Sequence, residues 1–518
     1  MKSARQHYYV LAAGVIILYL VTHLFRLTAL PVFADEAIYI RWAQLIIDDW
    51  QRYAFFPLND GKTPLLMWLM VPFQFLFSDQ LFAGRFLAVL IGFFQVLTNG
   101  YLTLQFGGRK KTALLSMLLT SVLPFWYFHH RMALIDGLLT LWLSLSLVFI
   151  LKLVKTTLFS RATIVYLIGL GASFGLALWT KLPAVLALPP LLVFSLWPTY
   201  QNISTLFKKA LVIGSGLFLG LCFFALMKLH PAFGQLFSRG SDFLYPWPEV
   251  LFAGLWQKTL INIPTYLTYF GHYLTWPFGL GILAGLFAPR HKRSIHLLFW
   301  SGILFLAPMV MLGRVVYPRY LFPASLFFTL AGTLSIEAYV DSYVTQARTL
   351  PQKVVVSIVI VLLLANTLAA SFTFIGHQLF SPDTTPFVAA DKVQYLHEWS
   401  SGHGLKEAAE LIAQAAQTKK IAVGTEGYFG TLPDGLTMYF HRRNVENIYI
   451  EGIGYPVDEI PTTFADRAQD YDQTWIIVNS HRMKIELPPE KLIAEYCRPD
   501  DAPCLQVWDA TALITPSN

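Results

Sequence analysis

Along its first 380 positions the chain alternates apolar runs of about 20 residues, each long enough to cross a bilayer as a helix, with short polar stretches in which Lys and Arg cluster. Marking these runs predicts about eleven spanning helices, near positions 8–27, 82–104, 112–128, 137–154, 162–179, 182–198, 210–228, 270–288, 295–312, 321–340 and 354–375. One orientation puts nearly every basic cluster on the inside: the N-terminus, 107–111 (GGRKK), 152–161, Lys208 and Lys209, 290–293 (RHKR) and Arg348 to Lys353. The first run follows Lys2 and Arg5 as a signal peptide would, yet it is long enough to span and no small-residue cleavage pattern follows, so it reads as a retained anchor. A long outer loop covers about 31–79. The run 64–77 inside it is apolar but short, and reads as a helix lying in or dipping into the outer interface.

From Ser381 the pattern changes. A helical period covers Leu405 to Gln417, and strand-like runs follow at Ile421 to Gly424, Asn447 to Ile450 and Trp475 to Val478. The expected fold class is therefore a polytopic α-helical membrane protein, residues 1–376, carrying a small extracytoplasmic α/β domain, residues 381–518. An odd number of spans places that domain outside.

Composition supports the membrane reading: 55% of the 518 residues are hydrophobic, 13% are charged, and 41 Phe, 24 Tyr and 14 Trp supply rings that anchor helix ends at the headgroup layers. A net charge of +7 could signal nucleic acid, but the cations sit between apolar runs rather than along one patch, so no nucleic-acid partner is expected. Of three cysteines, Cys222 lies in an apolar run and is expected to be inert. Cys497 and Cys504 flank a polar loop (CRPDDAPC) and suit a disulfide in an oxidising compartment, although two free thiols fit the same spacing.

Ionisable residues in or beside spans cost roughly 2.5–3.5 kcal/mol on insertion scales, so each raises a functional question. Asp35 and Glu36 follow the first span, Lys62 opens GKTPLLMW, Arg131 and Asp136 lie in HHRMALID, Lys181 in LWTKLPA, and Arg314 and Arg319 in GRVVYPRY. All fall at outer helix ends, which outlines one composite site. Transfer of a sugar from a phosphate-linked lipid needs a carboxylate to take the proton of the attacking hydroxyl and cations to hold the departing phosphate. Asp35 is the candidate base, with Glu36 or Asp136 orienting it or the acceptor, and Lys62, Lys181 and Arg319 are candidates for the phosphate. One displacement inverts the anomeric centre.

The ordered set Asp35-Glu36, Lys62-Thr63-Pro64-Leu65 with Trp68, Arg131 to Asp136, Thr180-Lys181 and Pro318-Arg319-Tyr320 with Pro323 resembles the GT-C membrane glycosyltransferases. Within them it is similar to the protein O-mannosyltransferases and the aminoarabinose transferases, over roughly residues 8–340. The resemblance implies a polyprenyl- or dolichyl-phosphate sugar donor, a catalytic acidic residue in the first loop, and substrate-binding roles for Lys62, Arg131, Lys181, Arg319 and Tyr320. The acceptor is left open among protein, lipid and glycan. Thr63 departs from the two prolines common in such chains.

Blander readings stand beside these. A DE pair at a helix exit is often just a solvated loop, Arg131 and Asp136 could form a structural ion pair, and Lys181 and Arg319 could snorkel. His129, His130 and His272 match no standard metal spacing; a divalent cation is a possible cofactor only if a carboxylate joins them. GTEGYFGTLPDG follows a strand but lacks a phosphate-loop pattern. A transporter or lipid-sugar flippase is the rival activity, and an inactive assembly protein the third. Transporters tend to place charges near mid-membrane, whereas these gather at one surface. A bacterial or archaeal plasma membrane is the expected location.

Overall fold

The computed structural model describes residues 2–158, 160–197, 202–345, 350–441 and 446–514. The expected basic position Arg348 lies outside them. Eight helices among the described residues are long and apolar enough to cross a membrane: Gln6–Leu24, Gln80–Gln105, Ile135–Lys155, Arg161–Thr180, Ile203–Leu229, Lys292–Leu312, Pro318–Ser342 and Leu350–Phe380. The other three of the eleven expected segments occur where the hydropathy placed them, but broken. Pro124 divides the first into Lys110–Val122 and Pro124–His129. The second is a chain of short turns, Leu182–Ala187, Leu188–Val193 and Phe194–Leu196, around Pro183, Pro189 and Pro190. The third splits into Asn262–Tyr273 and Trp276–Gly285 at Thr275, whose φ of 66° no helix accepts. Hydropathy counts apolar residues and is blind to the ring that removes an N–H and clashes with the preceding turn. The short run 64–77 forms the helix Leu65–Leu76.

The chain divides into two compact units. The first comprises residues 1–26, 54–66 and 86–379, the second 27–53, 67–85 and 380–518.

In the first unit, small residues and buried polar groups hold the helices together, because lipid offers apolar side chains no reason to leave it. Arg161–Thr180 and Ile203–Ala225 approach through Gly171 and Gly175 on one and Gly216 and Gly220 on the other; a Cβ on Gly220 would lie 3.0 Å from the Gly171 carbonyl oxygen. Gln95 Nε2 donates to Ser144 Oγ and to Asn99 Oδ1, both at 2.8 Å, and Asn99 Nδ2 donates to Thr120 Oγ1 at 2.9 Å. Three helices are thereby joined through groups that would be costly to expose to hydrocarbon.

The second unit is built on a five-stranded sheet of order β2-β1-β3-β5-β4, with β1 Ile421–Glu426, β2 Ile448–Gly454, β3 Gln473–Asn479, β4 Leu492–Tyr496 and β5 Leu505–Asp509. The three expected strands are β1, β2 and β3, which run parallel. β5 is antiparallel to β3 and β4 to β5, a hairpin closed at its turn by the Cys497–Cys504 disulfide. Ala422, Ile453, Phe464, Ile476 and Val478 fill the core beside β1 to β3. The helix Ala34–Asp48, far away in sequence, belongs to this unit. Ala34 N–H donates to Ser400 O (2.9 Å), Gly402 N–H to Val32 O (2.8 Å) and Gln44 Nε2 to Met438 O (3.0 Å).

Candidate active site

In the first unit the outer-end cations collect around aromatic rings. Asp136 stands in the first turn of Ile135–Lys155, where the helix N-terminus favours a carboxylate. Lys181 caps the end of Arg161–Thr180, and its Nζ donates to Asp136 Oδ1 at 2.7 Å. The same ammonium lies 5.1 Å from the centre of the Tyr320 ring, and the Arg319 guanidinium lies 5.6 Å from it. Pro318 begins the tight turn that presents Arg319 and Tyr320 together.

A second cluster is attached through rings. Lys62 Nζ donates to Asp60 Oδ2 (2.5 Å), and Arg239 Nη1 donates to Asp60 Oδ1 (2.6 Å). The Arg239 guanidinium lies over Phe243 at 5.7 Å, and the Phe243 ring meets Tyr320 at 6.4 Å. Phe55 and Trp179 close a further link at 6.2 Å. Thus Lys62, Lys181 and Arg319 form one constellation in this unit, together with Asp136, Tyr320 and two groups the sequence reading passed over, Asp60 and Arg239. Arg239 lies beyond the expected span 210–228, in a stretch that yielded no span and no motif. A cation outside any motif offered no signal beyond its charge.

Arg131 is placed differently. Its Nη1 donates to Thr22 O and His23 O at 2.8 Å and to Phe25 O at 3.1 Å, and its Nη2 to Arg26 O at 2.9 Å. The guanidinium closes the C-terminal end of Lys2–Leu24, satisfying carbonyls that the helix leaves unpaired. It is 4% exposed.

Asp35 and Glu36 lie in the second unit, at the N-terminus of Ala34–Asp48. Asp35 is half-buried in the first turn. Glu36 is fully buried and salt-bridged to Arg85, which donates Nε to Oε1 (2.9 Å) and Nη2 to Oε2 (2.7 Å). Its Oε2 also accepts the Phe33 N–H at 3.1 Å, tying the first turn back to the preceding residue. Adjacent positions therefore differ: Glu36 is fully buried and ties the loop to Arg85 and Phe33, while Asp35 beside it is only half-buried. Arg85 interrupts an apolar helix, and the rule that flags charges in spans applies to it too.

Among the described residues, one group of three has metal-ligand proximity, Glu495 with Cys497 and Cys504, and both cysteines are in the disulfide. His129 instead stacks on Phe322 at 4.4 Å, and its Nδ1 bonds Phe125 O at 2.9 Å. Among the described residues no such group lies at the cation cluster.

Residues 58–230 match the family model described as dolichyl-phosphate-mannose-protein mannosyltransferase, a stretch containing Asp60, Lys62, Arg131, Asp136 and Lys181. No curated protein matches the chain by sequence. Among solved structures the chain is similar to ArnT from Cupriavidus metallidurans in the apo state, with a TM-score of 0.60 and 15% identity over 99% of this chain and 100% of that one. Bound to undecaprenyl phosphate, that protein matches with a TM-score of 0.58 and 15% identity over 98% and 99% of the two chains. Similarity extends to the archaeal oligosaccharyltransferase AglB from Archaeoglobus fulgidus in complex with an inhibitory peptide and a dolichol-phosphate. Here the TM-score is 0.51, at 10% identity over 92% of this chain and 70% of that one.

These matches define the class: a multi-pass membrane chain with the GT-C glycosyltransferase fold. Within that fold, the segment 58–230, about a third of the chain, is the part that matches the protein mannosyltransferase family model. The resemblance read from the motifs is borne out, and a transferase is favoured over a transporter.

Proposed function

We propose that the chain is an inverting glycosyltransferase that moves a sugar from a polyprenyl-phosphate carrier to a hydroxyl-bearing acceptor on the outer face of the plasma membrane. The observation that carries this reading is the set of four cations, Lys62, Lys181, Arg239 and Arg319, disposed about Tyr320 and shared carboxylates. A lipid phosphate leaving with its bonding pair develops negative charge, and preorganised cations stabilise that charge more as the bond breaks than before it. The carboxylates Asp60 and Asp136 hold the ammonium and guanidinium groups in place meanwhile, so that little reorganisation is needed. Two structures similar to this chain hold undecaprenyl phosphate and dolichol-phosphate, which supports a carrier of the same chemistry here.

Asp35 keeps the role of base from its place in the motif order. It takes the proton of the acceptor hydroxyl as that oxygen bonds to the anomeric carbon, while the carbon–oxygen bond to phosphate breaks and the electron pair passes to the phosphate. Phosphate is a good leaving group, so no general acid is required. Glu36 and Arg131 serve by position, through the loop and the helix end they hold. The N-terminus is inside and the second unit's sheet outside, where the Cys497–Cys504 disulfide is stable.

The test is loss of carrier-bound label from a panel of radiolabelled polyprenyl-phosphate sugars, with purified protein in lipid. Wild type turns over at least one donor, and Asp35→Asn, still folded, falls by about two to four orders of magnitude. Near-normal turnover in that variant refutes the base. Movement of label across vesicles without any glycosidic product refutes the reaction.

A further inference from the structure

The parallel strands of the second unit end together, and what their carboxyl ends carry is unused by the reaction above. Three loops leave β1, β2 and β3 there, laced by backbone bonds: Gly427 N–H to Gly454 O at 2.7 Å, and Val457 N–H to Arg482 O at 3.0 Å. The approach is close enough that a Cβ on Gly452 would fall 2.0 Å from the Gly427 carbonyl oxygen. On this tight frame stand three rings that a soluble surface would ordinarily bury. Tyr428 is 72% exposed, Tyr455 61% and Phe429 56%.

The floor beneath them is polar and rigid. Glu426, buried at the end of β1, accepts from Asn479 N–H (2.8 Å), Asn479 Nδ2 (2.6 Å) and Arg482 Nη1 (3.0 Å). The Arg482 guanidinium is held between two rings, 4.3 Å from the centre of Tyr455 and 5.0 Å from that of Trp399. Crevices at the carboxyl ends of parallel strands are where open α/β sheets bind ligands.

Exposed aromatic faces beside fixed hydrogen-bonding groups match the chemistry of a sugar ring, whose C–H faces stack and whose hydroxyl groups pair. An anionic membrane surface fits worse. Among the exposed charges of this rim the carboxylates Glu398, Asp458 and Glu459 outnumber the one lysine, Lys484, whose backbone N–H donates to Val457 O at 2.8 Å, and carboxylates repel anionic headgroups but accept hydroxyl protons. We propose that the carboxyl edge of the sheet, with Tyr428, Phe429, Tyr455 and Arg482, is a saccharide-binding site that receives a glycan-bearing acceptor. This rests on the glycosyltransferase reading for the word acceptor, but not for the binding itself.

The experiment uses the full chain in phosphatidylcholine nanodiscs. The probe is the mixture of oligosaccharides released by mild acid from the cell envelope of the source organism, with capture read by mass spectrometry. Wild type enriches one or more saccharides, the Tyr428→Ala/Tyr455→Ala variant retains about tenfold less, and the corresponding double Phe variant stays within about twofold of wild type. No enrichment by wild type over the Ala variant overturns the proposal, as does tyrosine-dependent binding of phosphatidylglycerol vesicles in place of saccharide. Donor turnover is followed in the same samples. If wild type captures saccharide but consumes no polyprenyl-phosphate sugar, the enzymatic reading fails while the binding site stands. If turnover is normal and capture absent, the reverse holds.

Discussion

Replacing Glu36 by Gln tests whether the DE pair divides its work between structure and chemistry. Arg85 has five N–H groups and all five are used: Nε and one Nη2 proton on Glu36, the other Nη2 proton on Pro31 O (2.9 Å), and Nη1 on Leu27 O (3.0 Å) and Leu30 O (2.8 Å). In Glu36→Gln one oxygen still accepts, but the amide nitrogen turns a donor toward a donor, and a buried guanidinium loses its counter-charge. Breaking one side of a buried pair costs about 3–5 kcal/mol, which is roughly two to four orders of magnitude in the opening equilibrium of residues 27–48. Hydrogen exchange of those amides, with the protein in nanodiscs, reads that equilibrium directly. Asp35→Asn, one residue earlier and half-buried where Glu36 is fully buried, serves as the control and lowers protection by less than Glu36→Gln does. Equal protection in wild type and Glu36→Gln would show that the pair does not hold the loop, and the structural account of Glu36 would be wrong.

Other outcomes follow from the same geometry. Burial pushes the Asp434 carboxyl up to about 6, against partial relief from the Gly430 N–H and Arg41. A carboxyl whose folded pKa is raised adds stability below its unfolded value and loses it as pH rises through the folded one. Protection of residues 427–437, corrected for intrinsic exchange, therefore increases from pH 7 to pH 4, and Asp434→Asn flattens that slope. Arg239→Ala removes a cation outside every motif and raises the donor KM by about tenfold to a hundredfold, in a donor titration where kcat changes less. Replacing both Cys497 and Cys504 by Ser frees the β4–β5 turn and destabilises the second unit by roughly 2–3 kcal/mol, read by exchange of β5 amides.

How much of this was legible in the chain depends on the physics each feature uses. Span positions rest on transfer of apolar surface, which local composition records, and all eight continuous helices lie at predicted places. The breaks at Pro124, Pro189 and Thr275 rest on backbone geometry, which a hydropathy window averages away. β4 and β5 were missed because they are short and their faces are half exposed, so that Leu492 to Tyr496 carries little alternation in hydrophobicity. Lys62, Asp136, Lys181 and Arg319 were singled out because charge at a helix end beside an apolar run is rare, and the fold brings them together. Arg131 and Glu36 shared that signature and are nonetheless occupied with backbone carbonyls and with Arg85. Sequence gives the charge; only the fold gives its partner.

The second unit is assembled from segments that the ribosome makes at widely different times. Ile38, Tyr39, Trp42 and Ile46 are buried on a helix whose Gln44 bonds to Met438, 394 residues later. Until synthesis has passed that point, this apolar face has no native cover, and so long a closure is slow and exposed to misassembly. The first loop must therefore be kept by the lipid interface or by a chaperone while most of the helices are inserted. A ribosome stalled short of Met438, but far enough past Phe380 for the helix Leu350–Phe380 to have emerged, would hold a chain whose membrane helices are complete but whose Ala34–Asp48 segment is still open to protease.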